Sequence, residues 1–111
     1  MKYWLVLLSV LVLAVSVPLL LAGKGDATAG KEVYGKKCAT CHGAAGEGKE
    51  AIAKMMKVEL RHLGSKEVQA KSDADLRKII VEGTGKMKPV TGCSEAELAN
   101  VIAYVRTLAK K

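Results

Sequence analysis

Cys38-Ala39-Thr40-Cys41-His42 sets two thiols three residues apart with an imidazole directly after the second. That spacing fits covalent haem attachment, because the two sulfurs can add across the two vinyl groups of one porphyrin while the adjacent histidine binds the iron from the same side. One haem c would then be held by three bonds from a single pentapeptide. Other chemistries for these residues are poorer fits. A tetrahedral zinc site would need Cys93 and either His42 or His62 beside Cys38 and Cys41, and no second paired motif supports it. A thioredoxin-like dithiol belongs at a helix start after a strand, whereas Ala29 to Lys37 reads as helix. The plainest alternative is two buried cysteines and a surface histidine.

A second iron ligand decides between electron transfer and chemistry at the metal. Met1 falls in the leader, and Met55 and Met56 sit on a short helical stretch where apolar packing is their expected work. Met87 differs, since Gly83-Thr84-Gly85-Lys86-Met87-Lys88-Pro89 is a loop whose glycines and proline can aim one side chain at a fixed point. His62, in Arg61-His62-Leu63-Gly64, is the other imidazole and reads as structural or solvent-facing. The expected axial pair is His42 and Met87. Iron with two protein ligands has no open position, which favours electron transfer, and a thioether ligand favours the ferrous state. A peroxidase-like enzyme would need a vacant distal position. A haem sensor, or a haem-carrying subunit of a larger membrane oxidoreductase complex, is the remaining alternative.

The elements that must position these residues are all helical, with no alternating strand pattern. Asp26 or Thr28 can cap a first helix that carries Val33 and Tyr34 and closes near Cys38. His42 to Gly48 reads as a flexible, glycine-rich loop, followed by a short helix from Glu50 to Lys57. Ser65 can cap a short turn, and Ser72 a helix over Asp73 to Val81 with Leu76, Ile79 and Ile80 on its apolar face and Gly83 past its end. Ser94-x-x-Glu97 is a capping box ahead of Leu98, Val101, Ile102, Val105 and Leu108 at helical spacing.

Thioether attachment takes place outside the bacterial cytoplasmic membrane, and the N-terminus carries a matching export signal. Lys2 precedes an uncharged run from Leu5 to Ala22. Residues 1–23 are therefore expected to be a signal peptide, with Ala22 or Gly23 as the small residue at the cleavage site, or else an uncleaved membrane anchor with Tyr3 and Trp4 at the interface. Lipoprotein anchoring is excluded because position 24 is Lys rather than Cys. Residues 24–111 form one domain with a small core. Phenylalanine is absent, and beyond the leader the aromatics are Tyr34 and Tyr104, so a haem would supply much of the missing apolar surface.

Taken in order along the chain, these residues resemble the class I c-type cytochromes, in particular the small bacterial, cytochrome c6-like monohaem members. Gly30 and Tyr34 stand before Cys38 as in the family's first helix, and Tyr104 matches the aromatic of its last helix. The methionine loop precedes that helix in the same way. The resemblance implies an all-α fold, with N- and C-terminal helices packed around a covalent haem, and electron transfer through His/Met-ligated iron. Two departures stand out. Many members have a proline after the haem motif whose carbonyl accepts the proton of the ligating histidine, and Lys49-Glu50-Ala51-Ile52 has none. Many also read Met-Pro at the distal ligand, where Lys88 here separates Met87 from Pro89.

Charge points to the partner. Without Lys2 the chain carries 17 basic against 11 acidic residues, and Lys36, Lys37, Lys49, Lys86 and Lys88 flank the two haem-binding segments. They are expected to form a positive collar that meets acidic surfaces on a redox donor or acceptor. Nucleic acid is excluded for an exported chain with no binding motif. Cys93 is an odd cysteine, suited to a small apolar position before the Ser94 cap or to intermolecular pairing.

Overall fold

A first helix, α1 (Ala27–Lys37), starts where the Asp26 carboxylate accepts hydrogen bonds from the Thr28 and Ala29 N–H groups, so Asp26 rather than Thr28 is the cap. The computed structural model describes residues 25–110, and the leader expected over residues 1–23 lies outside the described residues. Cys38 ends α1 with a hydrogen bond from its N–H to the Tyr34 carbonyl (2.8 Å). Its φ of −120° offsets the haem motif into a separate helical turn, α2 (Ala39–His42), which stops at Gly43 with φ 83°.

Three more caps act as their residue types require. Helix α3 (Glu50–Met56) ends one residue earlier than expected because Lys57 takes the left-handed conformation, φ 54°. Ser65 caps α4 (Lys66–Gln69), and Ser72 caps α5 (Asp73–Glu82), which closes at Gly83 with φ 76°. Helix α6 (Glu95–Thr107) opens on the full capping box between Ser94 and Glu97. Among the described residues the only extended pairing is an isolated bridge between Thr84 and Met87, so the fold is all-α, a single domain of packed helices. No helix of the described residues is long and apolar enough to cross a membrane.

The dominant packing is α1 against α6. Gly30 permits it, since a side chain there would strike the Asn100 carbonyl. Tyr34, Leu76, Val101, Ile102 and Val105 form the buried cluster at that crossing, with half-buried Cys38, Leu63, Val68 and Ile80 packed around it. Tyr34 is the one aromatic side chain in this cluster, and its ring tilts against Tyr104 at 5.0 Å between centroids. So small a core leaves α3, α4 and the α5–α6 connection to be organised by something else. Polar ties do part of that work: the Arg106 guanidinium donates to the Gln69 and Lys71 carbonyls and to the Asp73 carboxylate, fastening the α4–α5 segment to α6.

Candidate functional site

A cavity of about 1010 Å³ opens beside the α1–α6 crossing. That volume is at the top of the range usual for small-molecule sites, about 300–1,000 Å³, and suits a large ligand. Its walls are mainly aliphatic, with Leu60, Leu63, Leu76, Ile80 and Val101 among them. Cys38, Cys41 and His42 line it from α1 and α2, and Met87 lines it from the α5–α6 connection. All four expected haem-binding residues are thus brought to one apolar space. Met55 and Met56 also line the cavity, though Met55 is 72% exposed. His62 and Cys93 are not among its lining residues. His62 Nδ1 instead accepts a hydrogen bond from the Gly64 N–H (2.8 Å).

The segment after the histidine is held carbonyl by carbonyl. The Cys41 carbonyl accepts from the Lys49 N–H (2.9 Å) and the His42 carbonyl from the Gly48 N–H (2.7 Å). The Gly43 carbonyl accepts from the Gly46 N–H (3.2 Å) and from the Tyr34 hydroxyl (2.5 Å). The Ala44 carbonyl accepts from the Tyr104 hydroxyl (3.3 Å). Positive φ at Gly43, Gly46 and Gly48 folds this loop back on itself, and the Leu63 N–H fastens it through the Gly46 carbonyl (2.8 Å). The expected glycine loop is therefore a pinned one.

The imidazole itself stands apart from this ladder. His42 Nδ1 is buried and has no hydrogen-bond partner, the counterpart of the proline missing after the motif. Burial lowers the His42 pKa and so favours the neutral ring that binds a metal. Burial also pushes the Cys38 thiol up to about 11, with the neighbouring Cys93 thiol adding to the shift and Lys37 opposing it. Redox-active dithiols are tuned in the opposite direction, with a depressed thiol pKa. Among the described residues no group of three or more His, Cys, Asp or Glu side chains is placed to hold a metal ion. A broad apolar cavity, two half-buried thiols on its wall and a half-buried imidazole whose surroundings favour the neutral ring together fit a haem.

Met87 is carried on a tight hairpin. Thr84 and Met87 exchange both backbone hydrogen bonds (3.1 and 2.8 Å) around Gly85 and Lys86, with Gly85 at φ 55°. Three outside ties fix this loop: the Val90 N–H donates to the Ile80 carbonyl (2.8 Å), the Lys86 ammonium to the Met56 carbonyl (2.6 Å), and the Lys37 ammonium to the Thr91 carbonyl (2.9 Å). The two lysine ties were invisible to sequence reading, where Lys37 and Lys86 registered only as charge. Lys37, Lys86 and Lys88 line the cavity, whereas Lys36 and Lys49 are exposed without lining it. The collar at the cavity itself is therefore narrower than the five lysines expected.

The profile of the family described as "Cytochrome C oxidase, cbb3-type, subunit III" matches residues 25–105. Cytochrome c-554(547) of Halothiobacillus neapolitanus is 34% identical over 90 residues, covering 76% of this chain and 98% of that protein. Among solved structures, the c-type cytochrome KustC0563 superposes with a TM-score of 0.64 at 28% identity, over 73% of this chain and 98% of its own.

Proposed function

The chain belongs to the c-type cytochromes, which carry covalently bound haem c and transfer electrons, and we propose that its single haem is joined to Cys38 and Cys41 with the iron held between His42 and Met87. The observation that carries this reading is that these four side chains, from two segments 45 residues apart in their nearest members, line one apolar cavity. When bound, haem supplies a one-electron Fe(II)/Fe(III) couple. The protein's part is to hold two ligands, keep water from the metal and leave an edge open to a partner. Aliphatic walls serve the second task, since they offer water no hydrogen-bond partners, and the low-dielectric site they make would disfavour the more highly charged ferric form. The hairpin serves the first, since its ties to Ile80, Met56 and Lys37 limit how far Met87 can drift.

Absorption spectra of oxidised and reduced holoprotein test the ligand set. A sulfur-to-iron charge-transfer band is expected in the oxidised native protein and absent from Met87→Ala, with haem still attached in both. A band that survives in Met87→Ala overturns Met87 as the ligand.

The protein is read as exported, with residues 1–23 as a removed signal peptide or a retained anchor, and the intact mass of the purified holoprotein distinguishes the two. Its partners are redox proteins. Acidic docking surfaces on them suit the lysines at the cavity rim, and a partner reduction rate that falls steeply with ionic strength is the expected result. A second reading, a haem-carrying subunit of a membrane oxidoreductase, is favoured by the description of the matching family as an oxidase subunit. Stable co-purification with other subunits from gently solubilised membranes would support it over a free carrier.

A further inference from the structure

We propose that Tyr34 is a positioning residue for the axial imidazole: its buried hydroxyl fixes the Gly43 carbonyl and, through the single peptide link between them, sets the orientation of the His42 ring. This rests on His42 as an iron ligand. Tyr34 is 2% exposed, it lines the cavity, and its hydroxyl lies 2.5 Å from the Gly43 oxygen. A ligating histidine is ordinarily oriented by an acceptor on its Nδ1, and here that atom is buried and unpartnered. The ring must then take its orientation from the backbone that carries it. That backbone is unusually constrained, with the carbonyls of Cys41, His42, Gly43 and Ala44 each accepting a hydrogen bond.

Tyr34 supplies the bond that reaches this segment from outside its own loop at short range. Leu63 also ties the loop from outside, at Gly46, but the other bonds to the carbonyls of Cys41, His42 and Gly43, from Lys49, Gly48 and Gly46, come from residues of the loop itself. Tyr34 instead belongs to α1 and is clamped between the Tyr104 ring and the α6 core. It therefore refers the position of His42 to the buried core of the fold. Tyr104 repeats the arrangement one residue on, through a longer bond of 3.3 Å to Ala44. Since ring orientation controls overlap between imidazole and iron orbitals, a loosened ring changes the electronic structure of the iron.

Tyr34→Phe isolates the hydroxyl. The Phe ring keeps the contact with Tyr104, and the Gly43 carbonyl keeps its bond from the Gly46 N–H, so the variant has no new unsatisfied acceptor. Electron paramagnetic resonance of the oxidised holoprotein and the reduction potential are the measurements, with Tyr104→Phe as comparator. Tyr34→Phe is expected to shift or broaden the largest g value and to move the potential, by more than Tyr104→Phe does. A lowered melting temperature with g values and potential equal to the native ones means a purely structural tyrosine and overturns the proposal. A native protein lacking the low-spin histidine signature would overturn the ligation reading instead. The two failures are therefore distinguishable.

Discussion

Gly30 of α1 meets Asn100 of α6 backbone to backbone: a Cβ at position 30 would lie 1.8 Å from the Asn100 carbonyl oxygen. No rotamer change relieves such a contact, because the obstructing atom belongs to the helix itself. Gly30→Ala must push α1 away from α6 and strain the Tyr34 cluster, at a cost of about 1–3 kcal/mol from overpacking. Gly35, on the same helix, faces nothing within 4 Å. Gly35→Ala should stabilise by about 0.4–1 kcal/mol through the unfolded chain. Thermal unfolding of the two holoprotein variants should move the midpoint in opposite directions, and equal shifts would contradict the close-approach account.

Gly83→Ala should act on the distal ligand. Gly83 has φ 76°, and a Cβ there would stand 2.4 Å from the Met87 carbonyl oxygen and 2.9 Å from the Pro89 nitrogen. Left-handed strain for a non-glycine residue costs about 1–3 kcal/mol, and the collision falls on the residue that carries the thioether. The expected outcome is a weakened or lost sulfur-to-iron band, with helical circular dichroism largely preserved because Gly83 lies just past the end of α5 and inside no helix. Gly85 has φ 55° but open space around it, so Gly85→Asn should leave the band intact.

Haem-free protein, made with Cys38 and Cys41 both changed to Ser, should not unfold cooperatively. Among the described residues six apolar side chains are buried, Tyr34, Leu76, Leu98, Val101, Ile102 and Val105, and all but Leu76 belong to α1 or α6. Helix α3 and the Met87 hairpin have no comparable apolar contacts of their own. A domain this small with so few buried groups falls short of the conformational entropy it must offset. Far-ultraviolet circular dichroism should retain partial helix without a sharp thermal transition, and added haem should sharpen the transition if it binds non-covalently. A steep, haem-independent melt would refute this.

Much of the architecture was legible from local chemistry. Asp26, Ser65, Ser72 and Ser94 announce helix starts because a short side-chain acceptor ahead of free N–H groups has a local geometric role, and all four accept such bonds. The motif residues and Met87 could be picked out as candidates for similar reasons, residue type and loop context. What remained hidden depends on distant partners. Lys37 reaches Thr91 across 54 residues and Lys86 reaches Met56 across 30, and nothing in a lysine's neighbours in sequence specifies such a contact. The break between α1 and α2 at Cys38, and the left-handed Lys57, occur where no glycine or proline announces them. The Tyr34 hydroxyl was concealed differently. Its ring was readable as core, but its hydrogen bond requires the fold of the glycine loop.

Acid should destabilise the holoprotein through two glutamates. The Ser94 backbone N–H bonded to Glu97 holds that carboxyl below the usual glutamate range, and the backbone N–H groups of Glu47 itself and of Ala45 do the same for Glu47. A carboxyl whose pKa is lower in the folded than in the unfolded chain leaves the unfolded chain binding more protons in acid. Its contribution is complete above the unfolded value of about 4.3 and disappears as pH falls through the depressed native value. Gln at each position can still accept these hydrogen bonds, as the capping box permits, but does not titrate. Glu47→Gln/Glu97→Gln should therefore stay close to the native melting midpoint at neutral pH and show a shallower decline between about pH 5 and pH 3. Parallel declines in the two proteins would place the acid sensitivity in other groups.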